Sequence, residues 1–277
     1  MPFFPQTEYQ CGPAALATVL AHAGAPVTAD GLVDAVYVEG LRGSLQPELL
    51  GATRRHGFIP YVLDSRYTAL LAELAAGRPV LVLQNLGFTR APVWHYAVVV
   101  GYDEQRERVI LRSGTEKRRS ERLKPFLRSW ARADYWAFVA LEPGELPATA
   151  RAGSYVRALA GAEPLLPADA ARASYRAALE RWPNDELLLF AAAAREHADG
   201  RLESATALYR ELVTVAPAHA AGRNNLANVL AERGCSVAAR TEAERALALV
   251  PLDSELYPAI SDTLATVSAA SGAATCD

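Results

Sequence analysis

Three prolines in the second half of the chain, Pro183, Pro217 and Pro251, stand 34 residues apart, and no other feature limits the fold as tightly. The same interval joins Ala171 to Ala205 and Ala239, Gly200 to Gly234, and Tyr175 to Tyr209. A repeat of this length holds two helices and the turns that link them. Small alanines let paired helices approach closely, glycine allows the turn between them, and proline closes the second helix. Residues 186–219 and 220–253 form two full repeats, with a half-repeat before them and a capping helix from about Ser254 to Ala270. Such units bury their apolar faces by stacking on one another, which predicts an all-α array.

The first half has no such period and is organised around a thiol. In Gln6-Thr-Glu-Tyr-Gln-Cys11-Gly12-Pro13-Ala14, an irregular segment turns into an apolar helix at Cys11. The first N–H groups of a helix lack internal partners and carry the positive end of its dipole, so they favour a thiolate. Pro13 suits the first turn, where a missing N–H costs nothing. Leu16, Val19 and Leu20 follow at helical spacing, and Gly24 ends the helix. A nucleophilic thiol needs a base and donors for the developing oxyanion. His95 opens the β-branched run Trp94-His95-Tyr96-Ala97-Val98-Val99-Val100-Gly101-Tyr102-Asp103, which reads as a buried strand with the imidazole at its mouth. Gln6, five residues before Cys11, carries an amide that can point at the same oxyanion as the Cys11 N–H.

These segments resemble the papain-like cysteine peptidases of the bacteriocin-processing class, which remove double-glycine leader peptides. The resemblance covers roughly residues 2 to 142, and it is closest to a subgroup in which the domain is joined to tetratricopeptide repeats. It implies that Cys11 is the nucleophile, His95 the general base and Gln6 the oxyanion-hole donor, with small residues favoured before the cut. In that family an Asp on the following strand orients the histidine, and Ser113 of Val109-Ile110-Leu111-Arg112-Ser113-Gly114 stands in its place. A serine can accept an N–H from imidazole but cannot stabilise imidazolium by charge. A Cys–His dyad can still work, because a thiol depends less on a third member. Asp103 and Asn85 are the other candidates for that role, Asp103 being about 26 Å along the strand from His95. The expected fold class is therefore an α+β papain-like cysteine peptidase domain over residues 1–146, followed by an all-α tetratricopeptide-repeat domain over residues 147–277.

Within the first domain, helical spacing is read at residues 28 to 37, 45 to 56 and 67 to 76, and strands at 58 to 63, 79 to 84, 94 to 103, 108 to 112 and 135 to 141. Gly40 to Ser44 reads as a connection able to line the cleft. From Arg112 to Arg132 there are eight Lys or Arg against two Glu, which reads as a solvated loop. Residues 1–146 hold 16 basic and 15 acidic groups and the remainder 12 and 16, so neither half has the basic excess of a nucleic-acid binder. The three cysteines give no disulfide framework, and the five histidines form no metal cluster. No apolar run reaches the roughly 20 residues of a membrane span. Expected partners are a peptide or protein substrate and a protein bound through the repeats, without a cofactor. By the resemblance, the chain is either exported or a cell-envelope lipoprotein with its signal upstream of this sequence; otherwise it is cytoplasmic. The reading from another class is a peptide-binding module that has lost turnover with its Asp. A third is thiol transfer, in which an amine resolves the acyl-enzyme.

Overall fold

The computed structural model describes residues 1–6 and 10–269. Contacts divide the chain into two compact units, Met1–Pro167 and Ala168–Asp277.

The first unit is built around α1 (Cys11–His22), whose residues Gly12 to Leu20 are all buried. A helix apolar on every side belongs at the centre of a domain. On one side it meets α2 (Ala29–Val36) and α3 (Gln46–Arg55), and on the other the sheet. Thr28 caps α2 by accepting the Gly31 N–H at 3.2 Å. Between α2 and α3 lies a small hairpin of β1 (Tyr37–Val38) and β2 (Gly43–Ser44), joined by a 3-10 turn in which Arg42 has φ +48°.

The main sheet contains β3 (Ile59–Val62), β4 (Val80–Asn85), β5 (Trp94–Asp103), β6 (Arg108–Ser113), β7 (Glu116–Arg122) and β8 (Ala137–Leu141). Its order is β3-β8-β4-β5-β6-β7, and every pairing is antiparallel. Helix α4 (Tyr67–Ala75) connects β3 to β4, and α5 (Leu123–Ala131) connects β7 to β8. The core joins Leu16, Val19 and Leu20 of α1 to Leu81, Leu83, Val98 and Phe138 of the sheet. Strand β7 lies at one edge and carries Lys117, Arg118, Arg119 and Arg122.

Two features depart from the sequence reading. The basic stretch after Arg112 is a strand and a helix instead of a loop, because Phe126 and Trp130 sit one helical turn apart, both fully buried and stacked at 5.7 Å. Secondly, α6 (Ala152–Ala162) packs on β3 within the first unit, burying Tyr155, Val156 and Leu159. The first compact unit thus extends past the 146/147 boundary expected from the sequence.

The second unit is an all-α, tetratricopeptide-like region of α7 (Ala168–Arg181), α8 (Glu186–Ala198), α9 (Leu202–Val215), α10 (Ala220–Glu232), α11 (Ser236–Ala248) and α12 (Tyr257–Ala269). The 34-residue period maps onto it directly. Gly200 and Gly234 make the turns inside the pairs α8–α9 and α10–α11 at φ +71° and +79°, where a side chain would be strained. Pro183, Pro217 and Pro251 each follow the end of a helix. Ala205 and Ala239 are fully buried beside Tyr209 and Leu226. Asp185 and His219 cap α8 and α10, accepting the Leu188 and Gly222 N–H groups at 2.9 Å each. Cys235 is disulfide-bonded, contrary to the reading of the cysteines as unlinked. Cys276 and the end of the capping helix at Ala270 lie outside the described residues. Among the described residues no helix is long and apolar enough to cross a membrane, and no group of three His, Cys, Asp or Glu is placed to hold a metal.

Candidate active site

Cys11 is the first residue of α1, and it is free. The Gln10 side chain does not cap the helix, so the N–H groups of the first turn remain available to an anion. Three backbone amides, those of Tyr96, Gly12 and Cys11 itself, favour the thiolate. The Tyr96 amide belongs to β5, next to His95, so the start of α1 and the mouth of β5 meet at the sulfur. Cys11 and His95 share a cavity of about 650 Å³.

The imidazole is held from behind. His95 Nε2 and Ser113 Oγ are 2.7 Å apart, across the paired strands β5 and β6. Ser113 is buried at the end of β6. With Nε2 engaged by Ser113, Nδ1 is the nitrogen left for the thiol.

Gln6 is fixed by the residue after Ser113. The Gly114 N–H donates to Gln6 Oε1 at 2.7 Å, and the Gln6 N–H donates to the Gly114 carbonyl at 3.1 Å. Because the amide oxygen accepts, the amide NH₂ remains as the donor, and Gln6 lines the same cavity as Cys11. The preceding residues are anchored too: Arg112 donates to the Pro2 carbonyl and stands over the Phe3 ring at 5.8 Å.

The protonation state of the pair differs from the sequence expectation. Burial pushes the Cys11 thiol up, and this outweighs the three amides that draw it down. Burial brings His95 down to about 4, and the Arg119 guanidinium on β7 adds to the effect. With a serine where the imidazolium would need a carboxylate, the resting pair is thiol and neutral imidazole.

Residues 1–137 match the Peptidase_C39 like family. The N-terminal domain belongs to that family. Among solved structures it is similar to a Bacillus anthracis protein described as a C39-like peptidase, at 17% identity and TM-score 0.42 over 51% of this chain and 94% of that one. The peptidase domain of Streptococcus ComA, a bi-functional ABC transporter of a quorum-sensing pathway, matches at 21% and 0.42 over 50% and 96%. The Yersinia enterocolitica type III secretion translocator chaperone SycD matches at 14% and 0.39, over 42% of this chain and 82% of that chain. No curated protein matches the chain.

Within the C39-like domain, the two other candidates for the histidine's partner are engaged elsewhere. Asp103 is paired with Arg106 at 3.0 Å in the turn beyond β5. Asn85 Oδ1 accepts the Gly87 and Val93 N–H groups at 3.0 Å each, bracing the loop from β4 to β5. The Gly40–Ser44 connection does line the cavity, with Leu41, Arg42, Gly43 and Ser44 among its walls.

Sequence reasoning placed Ser44 in a connection able to line the cleft without its contact to the helix start, and it missed Arg119 and Asp134 as neighbours of the C39-like site. Ser44 presses on the helix start so closely that a Cβ on Gly12 would lie 2.1 Å from its Oγ, and the Tyr96 hydroxyl holds Ser44 by donating to its carbonyl at 3.2 Å. Arg119 bears on His95 from β7. Asp134 lines the cavity from the turn after α5. The spacing of Phe126 and Trp130 was the available signal for that helix; nothing local in sequence announces where Asp134 ends up.

Proposed function

We propose that the N-terminal domain is a cysteine peptidase in which Cys11, His95, Ser113 and Gln6 carry the reaction. The observation that carries this reading is one cavity shared by a thiol at a helix start and an imidazole whose far nitrogen is 2.7 Å from Ser113 Oγ. The Nδ1 lone pair takes the Cys11 proton as the sulfur attacks the scissile carbonyl. The Cys11 N–H and the Gln6 amide hold the oxyanion. The imidazolium then protonates the leaving amine, leaving a thioester. Water adds to the thioester with His95 again as base, and the acid product and free thiol are released. Ser113 accepts a hydrogen bond from the Nε2 proton in this tautomer and holds the ring without contributing charge, so proton transfer accompanies attack in place of a preformed ion pair. In this reading the repeats recruit the protein substrate or a partner, and the family likeness suggests a setting in export or at the cell envelope.

The raised thiol and lowered imidazole favour a second reading, a peptide-binding module without turnover. Incubating the protein and its Cys11→Ala variant with a diverse peptide library that includes double-glycine sequences separates the two. Mass spectrometry should show cleavage by the parent alone. Equal cleavage by both would remove Cys11 from the chemistry, and no cleavage, with Cys11 inert to alkylation at neutral pH, would leave the binding module.

A further inference from the structure

Asp134 and Tyr135 are consecutive non-glycine residues in the left-handed region, at φ +53° and +54°. Each is a conformation that costs an L-residue of this kind free energy and persists only where its surroundings impose it. The imposition is visible here. Asp134 and Tyr135 donate their N–H groups to the Ala131 and Trp130 carbonyls at 3.1 Å each. Ser65 Oγ donates to the Asp134 carbonyl at 3.1 Å, and the Tyr135 ring meets Trp130 edge-on at 5.2 Å. Just before them, Arg132 donates twice to the Asn85 carbonyl, at 2.7 and 3.1 Å, tying the turn to the end of β4.

What this turn positions is a carboxylate. Asp134 is exposed, lines the cavity that holds Cys11 and His95, and has no ion-pair partner among the described residues. Trp94 lines the same cavity beside His95 and is 54% exposed, an unusual state for a tryptophan in a folded domain. Trp94 is held by pairing with Asn85, whose carbonyl anchors Arg132, so the indole and the carboxylate are mounted on one connected frame. An aromatic face and an unpaired carboxylate in one cavity suit a cationic side chain, by cation–π attraction and by charge. Arg42 is the cation contributed to the cavity by the other lining segment, residues 41–46.

We propose that Trp94 and Asp134 form a subsite for a lysine or arginine side chain on the leaving-group side of the scissile bond. The side is part of the proposal: His95 would protonate the departing amine, and Trp94 lines the same cavity. This assignment rests on the peptidase reading of Cys11 and His95, and binding can test it without turnover.

The test uses the full chain as Cys11→Ala and fluorescein-labelled peptides that differ only in the residue after a double glycine: Lys, Arg, Ala or Glu. The lysine and arginine peptides should bind about 10-fold more tightly than the glutamate peptide, a margin in the range of one partly exposed charge pair plus a cation–π contact. Asp134→Lys should reverse the order, and Trp94→Ala should weaken the basic peptides most. Equal affinities, or an order unchanged by Asp134→Lys, would overturn the subsite. In parallel, the parent with Cys11 intact should release products that begin with Lys or Arg. Cys11-dependent cleavage with no such bias would overturn the subsite and leave the peptidase standing. Binding selectivity without any cleavage would keep the subsite and remove the peptidase.

Discussion

At the scale of single residues, the site turns on an exchange of charge for neutrality. Ser113 occupies the place of an acid, and the charged group that bears on the imidazole is Arg119, of the wrong sign to stabilise imidazolium. Burial above all, with Arg119 adding to it, keeps His95 neutral in the folded protein down to about pH 4, whereas the unfolded chain takes up that proton near 6.5. Between these values the unfolded state binds more protons, so this contribution to stability is fully present above about 6.5 and is lost as pH falls toward 4. The shift corresponds to about 3 kcal/mol, read as the difference in denaturant midpoint between pH 7 and 4. Ser113→Asp gives the imidazolium a partner, so it should flatten that pH dependence and speed Cys11 alkylation at pH 7 by about 10-fold. An alkylation rate unchanged in Ser113→Asp would mean that His95 does not govern the thiol.

Among the elements, the contact of β2 with the start of α1 is the most demanding. Ser44 sits where a side chain on Gly12 would go, with Oγ and Cβ 2.1 and 2.5 Å from the added atom. Gly12→Ala should cost about 1–3 kcal/mol and slow Cys11 alkylation, and adding Ser44→Gly should restore much of both by removing the clashing atoms. Failure of the double variant to recover would place the defect in the helix start itself. This contact also shows why the sequence was legible only in part. The apolar spacing of Leu16, Val19 and Leu20, the β-branched run after His95 and the 34-residue period are local patterns, and the elements they predict are present. The resemblance brought His95 and Ser113 together on adjacent strands, where the hydrogen bond now lies. Arg119 reaches the site through the pairing of β7 with β6, and Ser44 and Asp134 through the β1–β2 hairpin and the turn after α5, placements that depend on the assembled domain. The same holds for the thiol: a helix start lowers its pKa, but burial, a property of the assembled domain, overrides that.

At the level of the whole molecule, each unit has its own core. Tyr209 is fully buried in the repeats, edge-on to Phe190 at 6.2 Å and accepting a hydrogen bond from Asn225 at 3.1 Å. Tyr209→Ala should destabilise the repeats by about 3–5 kcal/mol. Thermal unfolding should then show an early helical transition while the Cys11 alkylation rate stays as in the parent. A change in that rate would mean that the repeats support the N-terminal domain. The two margins of the main sheet are protected by different means. Strand β3 has α6 packed on it, whereas β7 ends the sheet with Lys117, Arg118, Arg119 and Arg122. The strand also holds Glu116 and Glu121, so its margin keeps a net positive excess, and two molecules meeting along β7 would repel through that excess, which guards the margin against intermolecular strand pairing. Such a guard works only while the charges see one another, and concentrated salt, which shortens their reach to a few ångströms, takes it away.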